Sequence, residues 1–240
     1  MIEHNQRPGF TFKQFHVAHD QTAMKVGTDG ILLAAWSPLH NIKRVLDVGT
    51  GTGLISLILA QRLAGEVVID AIDIETDACS QAQQNVAHSP WPLAVNVQLQ
   101  SMQNHRSTQS YDLVISNPPY FSAGQVFEEK RQQARHSASL NAQAFFAALA
   151  KLAHQNTQLA VILPCDVAEQ WLLLAALDDW HLVRRAQVHS FANKPAIRSM
   201  LLLTKSPVSC CQQEQILIYQ QDKSYSPQFV DLCRYLYLKM

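Results

Sequence analysis

An α/β fold built on a doubly wound, seven-stranded, mostly parallel sheet is predicted by two features of the sequence. From residue 43 onward, short β-rich runs alternate with longer Ala/Leu/Gln-rich stretches, as successive βαβ units do. A glycine-rich turn, VLDVGTGTGLISL (45–57), joins the first of these runs to the first long helical pattern, at the kind of strand end where open α/β sheets bind ligands.

Taken in order, the β-branched and apolar runs place strands at 44–49, 67–73, 95–99, 111–116, 157–163, 182–189 and 198–204. The intervening stretches place helices at 53–64, 76–88, 141–154, 166–178 and 227–237, and a short one at 29–36 is capped by Thr28 or Asp29. Ahead of the first βαβ unit, GFTFKQFHVAHDQTAMKVGTD (9–29) carries Phe10, Phe12, Phe15 and Val17 in the manner of a hairpin or extended cover. It reads as an extension within 1–42. No repeat, low-complexity tract or Pro/Gly/Ser linker divides the chain, so residues 1–240 are expected to form one domain. The longest unpatterned stretch, 121–139, is of a length that compact domains reserve for functional or disordered loops.

Composition narrows the class without naming a function. With 48% apolar and 16% charged residues, 240 residues bury a full core. Nineteen basic side chains balance nineteen acidic ones, so local patches, not the sum, must decide any polyanion binding. A basic-then-apolar leader and an apolar run of about 18 residues are both missing, so a cytoplasmic, non-membrane setting is expected. Five cysteines (79, 165, 210, 211, 233) show no CxxC spacing and read as reduced thiols. The ten histidines show no ligand pattern, His16 and His19 reading as N-terminal surface, and no metal site is expected.

The glycine turn carries the first chemistry. Gly49, Gly51 and Gly53 let the backbone bend and approach a ligand with no Cβ in the way. Neither GxGxxG nor GxxxxGK[ST] is present, since Leu54 or Ser56 stands where the last glycine of the dinucleotide fingerprint belongs. Asp47 just before the glycines suits an ammonium better than a phosphate chain. The next strand, VVIDAID, ends at Asp73, about twenty residues on, where a carboxylate can accept both ribose hydroxyls. Together these indicate an S-adenosylmethionine site, with glycines under the amino-acid moiety, Asp47 near its ammonium and Asp73 on the ribose.

VISNPPYF (114–121) carries the second. Pro118 and Pro119 hold φ near −65° and offer no N–H, so this strand end is rigid and its acceptors are exposed. The Asn117 side-chain oxygen and the Pro118 carbonyl suit the two hydrogens of a planar amino group, turning its lone pair toward an electrophile. Tyr120 gives a face on which a purine stacks. A sulfonium donor is already activated by its charge, so the chemistry requires neither metal nor covalent nucleophile.

DVGTGTG, AID and NPPY stand in the order and spacing of class I, Rossmann-like methyltransferases that act on planar nitrogens. FTFKQFHVAHDQTAMKVGTDGILLAAW with NPPYF resembles, more narrowly, the tRNA (adenine-N6) methyltransferase family that modifies adenine 37 of valine tRNA. The resemblance covers most of the chain. It implies a seventh strand that is antiparallel, tRNA as partner, a monomeric enzyme, and Lys25 and Thr28 near the cofactor or clamp. In that family an acid usually follows the third strand and contacts the cofactor's adenine. Here Gln100 and Ser101 stand there, so a neutral contact is expected. Pro119 and Phe121 adjoin the substrate in this reading.

Basic residues for RNA are sought in a stretch without acids, 180–213, which holds Arg184, Arg185, Lys194, Arg198 and Lys205, and in Lys130, Arg131 and Arg135 of the loop after NPPYF. Glu128 and Glu129 partly offset the latter. A glutamine side-chain amide shares the amino group's geometry, so a protein-glutamine N5 methyltransferase is the alternative, although about 44 residues ahead of the first strand leave little room for such an enzyme's helical N-terminal domain. DNA adenine and ribosomal guanine N2 are further targets of the same geometry, and a non-catalytic RNA-binding protein on a methyltransferase fold is the reading from another class.

Overall fold

The computed structural model describes residues 7–22, 25–119 and 141–240. Gly9–Thr11 (β1) and His16–Ala18 (β2) form an antiparallel hairpin, as the phenylalanine-rich segment suggested. There follow Thr28–Trp36 (α1), Arg44–Val48 (β3), Leu54–Arg62 (α2), Val68–Asp73 (β4), Thr76–Ala87 (α3), Val95–Leu99 (β5), Tyr111–Ser116 (β6), Ala142–Leu149 (α4), Ala153–Leu163 (β7), Cys165–Leu177 (α5), His181–His189 (β8), Ala196–Thr204 (β9), Gln212–Leu217 (β10) and Pro227–Cys233 (α6).

The main sheet runs β10-β8-β9-β7-β6-β3-β4-β5, and among the described strands β9 alone runs against its neighbours. Counted along the chain within this sheet, β9 is the seventh strand, so the expected reversal is found. The count of seven is one short, because QQEQIL (β10) adds an eighth at the edge. That strand buries only Ile216, so it lacks the apolar run that marks an interior strand. The long helix expected over 141–154 also stops early. Leu152 O accepts from Tyr111 N at 3.1 Å, which draws the chain into the sheet although its apolar spacing still resembles a helix. Neither Thr28 nor Asp29 caps α1; Gly27 occupies that position, and Asp29 pairs instead with Arg198 at 2.7 Å.

Both faces of the central strands are covered, which is why β3 and β6 read as nearly unbroken apolar runs. Val45 and Leu113 join Leu32, Leu57 and Ile58 on one side, while Leu46 and Val114 join Phe145, Phe146 and Trp171 on the other. The hairpin closes over the first face. Phe12 and Phe15 stack at 4.6 Å, both buried, and Asn85 of α3 ties β2 to the glycine turn. Its side-chain oxygen accepts from Ala18 N (3.0 Å), and its amide donates to Ala18 O and Thr52 O (both 2.9 Å).

Removing that amide leaves three buried backbone groups without partners. Asn85→Ala should therefore lower unfolding free energy by about 2–4 kcal/mol, read as a fall in urea midpoint. A change below about 0.5 kcal/mol would mean that water replaces the amide without cost.

Candidate active site

Parallel pairing brings the candidate residues to one edge. Val48 of β3 lies opposite Ile72 of β4 and Ser116 of β6. The residues that follow, Gly49, Asp73 and Asn117, therefore leave the sheet side by side at its carboxyl end. The Ser116 hydroxyl donates to Val48 O (2.8 Å), stitching the proline turn to the glycine turn. Asn117 is half-buried, Pro118 buried and Pro119 exposed, so the turn is anchored on one side and open on the other.

The three glycines divide into two roles. Gly49 and Gly51 adopt φ of +73° and +56°, and a Cβ on either would meet nothing within 4 Å, so they face open space above the edge. Gly53 (φ +80°) points elsewhere, its Cβ direction meeting Ala82 of α3 at 3.4 Å, so it serves close packing of α2 on α3. Gly49 N and Thr50 N both donate to Ile72 O (2.9 and 3.0 Å), and Gly51 N donates to Asp73 Oδ2 (2.8 Å). Asp73 Oδ1 accepts from Glu75 N (3.0 Å). Each carboxylate oxygen keeps a second lone pair, so the Asp73 carboxylate is held in place and can still receive hydroxyls.

Asp47 is fully buried beneath this turn. The Thr50 and Ser56 hydroxyls both donate to its Oδ2 at 2.7 Å, while Oδ1 has no hydrogen-bond partner. Burial pushes the carboxyl up to about 6, against those two hydroxyls, with Asp73 adding a smaller push. An orphaned buried acceptor next to open glycines fits a cationic ligand, whose donor would satisfy Oδ1 and favour the ionised form.

Thr28 opens α1, whose first turn lies on α2, since the Cβ direction of Gly30 meets Leu54 at 3.1 Å. Thr28 thus stands on the side of α1 that meets the start of α2, and Lys25 precedes the helix as an exposed residue. Ser101 follows β5 next to Asp73, the Gln100 N donating to Asp73 O at 2.8 Å. Tyr120, Phe121, Lys130, Arg131 and Arg135 lie outside the described residues.

The basic stretch is split by the strand directions. The β8–β9 turn and the start of β9 lie at the same carboxyl edge, bringing Lys194 and Arg198 there, with Arg198 paired to Asp29. Arg184 and Arg185 sit mid-strand, Arg184 about 16 Å of extended chain before the end of β8. Arg184 donates to Glu214 (2.6 Å) and lies 4.6 Å over the Trp36 ring, and Arg185 pairs with Glu169 (2.5 Å) and Ser199 (3.0 Å). Sequence reading passed over Asn85 and Phe191. Phe191 packs beside Tyr219 at the same edge (5.6 Å), and nothing in its spacing marks it. Among the described residues, no group of three or more His, Cys, Asp or Glu could hold a metal ion, and no helix is long and apolar enough to cross a membrane.

The model of the methyltransferase small domain family matches residues 19–170. The tRNA1(Val) (adenine(37)-N6)-methyltransferase of Aeromonas salmonicida is 45% identical over 97% of this chain and 98% of its own length. That of Salmonella enteritidis is 42% identical over 98% and 97%. In fold, a predicted O-methyltransferase from Agrobacterium tumefaciens superposes with a TM-score of 0.68 over 87% of this chain and 96% of its own, at 15% identity.

The raised acid makes a pH prediction. Because the folded value, about 6, lies above the ordinary carboxyl value, the buried group stabilises fully at low pH, and this is lost as pH rises through 6. Asp47→Asn keeps an acceptor for Thr50 and Ser56 and removes the charge. The unliganded variant should exceed the parent's stability by on the order of 2–3 kcal/mol at pH 8 and match it near pH 4. Equal denaturation midpoints at both pH values would show that the carboxylate is relieved in another way.

Proposed function

From the premise that the chain belongs to the methyltransferase small domain family, we propose that it transfers a methyl group from S-adenosylmethionine to N6 of adenine 37 in tRNA1(Val). The observation that carries this reading is the juxtaposition at one sheet edge of Gly49, Asp73 and Asn117, set by the register of β3 with β4 and β6. Relatives bearing that activity, more than 40% identical over nearly the whole length, supply the substrate.

The residues fit the cofactor. Gly49 and Gly51 leave room for its amino-acid end, Asp47 offers the unpartnered oxygen beneath it, and Asp73 presents acceptors for the ribose. Lys25, Thr28 and Ser101 belong to the cofactor site in this reading, and Gly53 supports the turn from below. When bound, the cofactor supplies a methyl carbon made electrophilic by its sulfonium. The chain's own work is orientation. The adenine amino group is a poor nucleophile because its lone pair is delocalised into the ring. The Asn117 side-chain oxygen and the Pro118 carbonyl accept its two hydrogens, favour a pyramidal nitrogen and aim the lone pair. Asn117 also borders the cofactor in this scheme, and Pro119, Tyr120 and Phe121 bound the base.

For RNA, Lys194 and Arg198 stand at the edge that carries the clamp, and Lys130, Arg131 and Arg135 follow it in sequence. Arg184 and Arg185 belong to the same proposal in a lesser role, because they sit mid-strand, away from the edge that carries the clamp. A cytoplasmic monomer folded as one domain completes the reading.

Incubation with labelled cofactor and total tRNA, followed by mass spectrometry of the nucleosides, tests it. N6-methyladenosine in tRNA1(Val) is expected, and label confined to protein would overturn the assignment. Asn117→Ala should lower turnover at least 100-fold while cofactor affinity falls far less, since the lost acceptor engages the reacting nitrogen and only borders the cofactor. Asp73→Ala should instead weaken cofactor binding at least tenfold, about 1.4 kcal/mol, and an unaltered dissociation constant would remove the ribose assignment.

A further inference from the structure

A buried chain of side chains runs from the middle of the sheet to the residue that replaces the expected acid. Asp70 of β4 is 8% exposed, Tyr111 of β6 is 0% and His105 is 3%. The Tyr111 hydroxyl donates to Asp70 Oδ2 (2.6 Å) and stands 2.7 Å from His105 Nε2. His105 Nδ1 is 3.0 Å from Gln100 Oε1, and Gln100 Nε2 donates to Asn104 O (3.2 Å). With its nitrogen committed to a carbonyl, the Gln100 amide can present only an acceptor to the ring, so Nδ1 carries the proton there and Nε2 is an acceptor that shares the one Tyr111 hydroxyl hydrogen with Asp70 Oδ2. Asp70 is itself fixed: Oδ1 accepts from Asn96 (3.0 Å) and Gln98 (3.2 Å), and Arg44 lies 3.5 Å from Oδ2 while its guanidinium covers the Tyr111 ring at 5.3 Å.

Both ends of the Gln100 amide are thus committed inside the protein. Its backbone N–H is committed too, to Asp73 O (2.8 Å). Asn104 N and His105 N both donate to Ser101 O (3.1 and 2.9 Å), closing residues 100–105 into a tight turn beside the proposed ribose carboxylate. Met102 plugs this turn into the core.

We infer that His105 is a positioning residue for cofactor binding: held by Tyr111 and Asp70, it fixes Gln100 and so shapes the 100–105 turn that borders the adenine end of the cofactor. The neutral contact to the base falls to Ser101 and the turn's backbone, while Gln100 acts from within. This rests on the reading that S-adenosylmethionine lies across the carboxyl edge with its ribose on Asp73. It differs from a purely structural role in one respect: His105 must act through Gln100.

A double-mutant cycle separates the two. S-adenosylmethionine dissociation constants are measured by calorimetry for the parent, His105→Phe, Gln100→Leu and the double variant. His105→Phe keeps ring volume and removes the bond to Gln100 together with the contact to Tyr111, and roughly a fivefold weakening is expected, the worth of about one hydrogen bond. Gln100→Leu should weaken binding similarly, and the double variant no further, because either change breaks the same link. Multiplying effects in the double variant, or unchanged affinity in His105→Phe, would overturn the inference. If His105→Phe fails to fold, Tyr111→Phe replaces it in the cycle, with a smaller loss that Gln100→Leu should abolish. A parent protein that binds no S-adenosylmethionine would strike the cofactor reading itself, an outcome distinct from an additive cycle.

Discussion

Parallel pairing of three neighbouring strands is the constraint on which the site depends. Because β3, β4 and β6 run the same way in tight register, the segments that follow them must leave at one edge. No helix or loop has to carry the reactive groups toward one another. The glycine turn, the Asp73 carboxylate and the proline turn meet because their strands end level, and the hydrogen bonds to Ile72 O and Val48 O hold them there. Positioning on strand ends also suits a reaction whose barrier is lowered chiefly by alignment, since a displacement of about 1 Å can cost as much as two orders of magnitude in rate.

Below that edge, polar side chains sit where an ordinary core would be apolar. Asp47, Asn85 and Asp70 are all largely buried, and each braces backbone or side chains that would otherwise have to reorganise on binding. The arrangement of Asp47 costs stability in the unliganded protein, because a buried carboxylate with one bare oxygen is disfavoured in its charged form. A ligand ammonium would reverse that penalty. The resting protein therefore holds a local electrostatic deficit of the sign that a cation relieves.

Much of the candidate site was legible because the residues that the strand ends bring together stand in short, rigid, contiguous motifs. Gly49, Gly51 and Asp73 announce themselves through a left-handed turn and a strand-terminal acid, and Asn117 through the two prolines behind it. The partition among the glycines was not legible, since only packing shows that Gly53 faces Ala82 while Gly49 and Gly51 face open space. Strand β10 escaped because a polar edge strand has no apolar signature. The pairing of Arg184 and Arg185 was hidden for a related reason: a stretch without acids looks uncompensated, yet Glu169 and Glu214 reach them from α5 and β10. Pairing between distant segments leaves no trace in local composition, and the same is true of the His105 chain, whose members are drawn from residues 70 to 111.

One reversed strand has a geometric corollary. Were β9 parallel like its neighbours, its first residues would face the opposite side of the molecule; reversed, it places Arg198, and the turn bearing Lys194, on the rim with Asn117. With strands about 4.8 Å apart, Lys194 and the Arg198–Asp29 pair begin two strands, roughly 10 Å, from Asn117. Reversal of one strand thus fixes the distance between the proline turn and the two basic residues that share its rim.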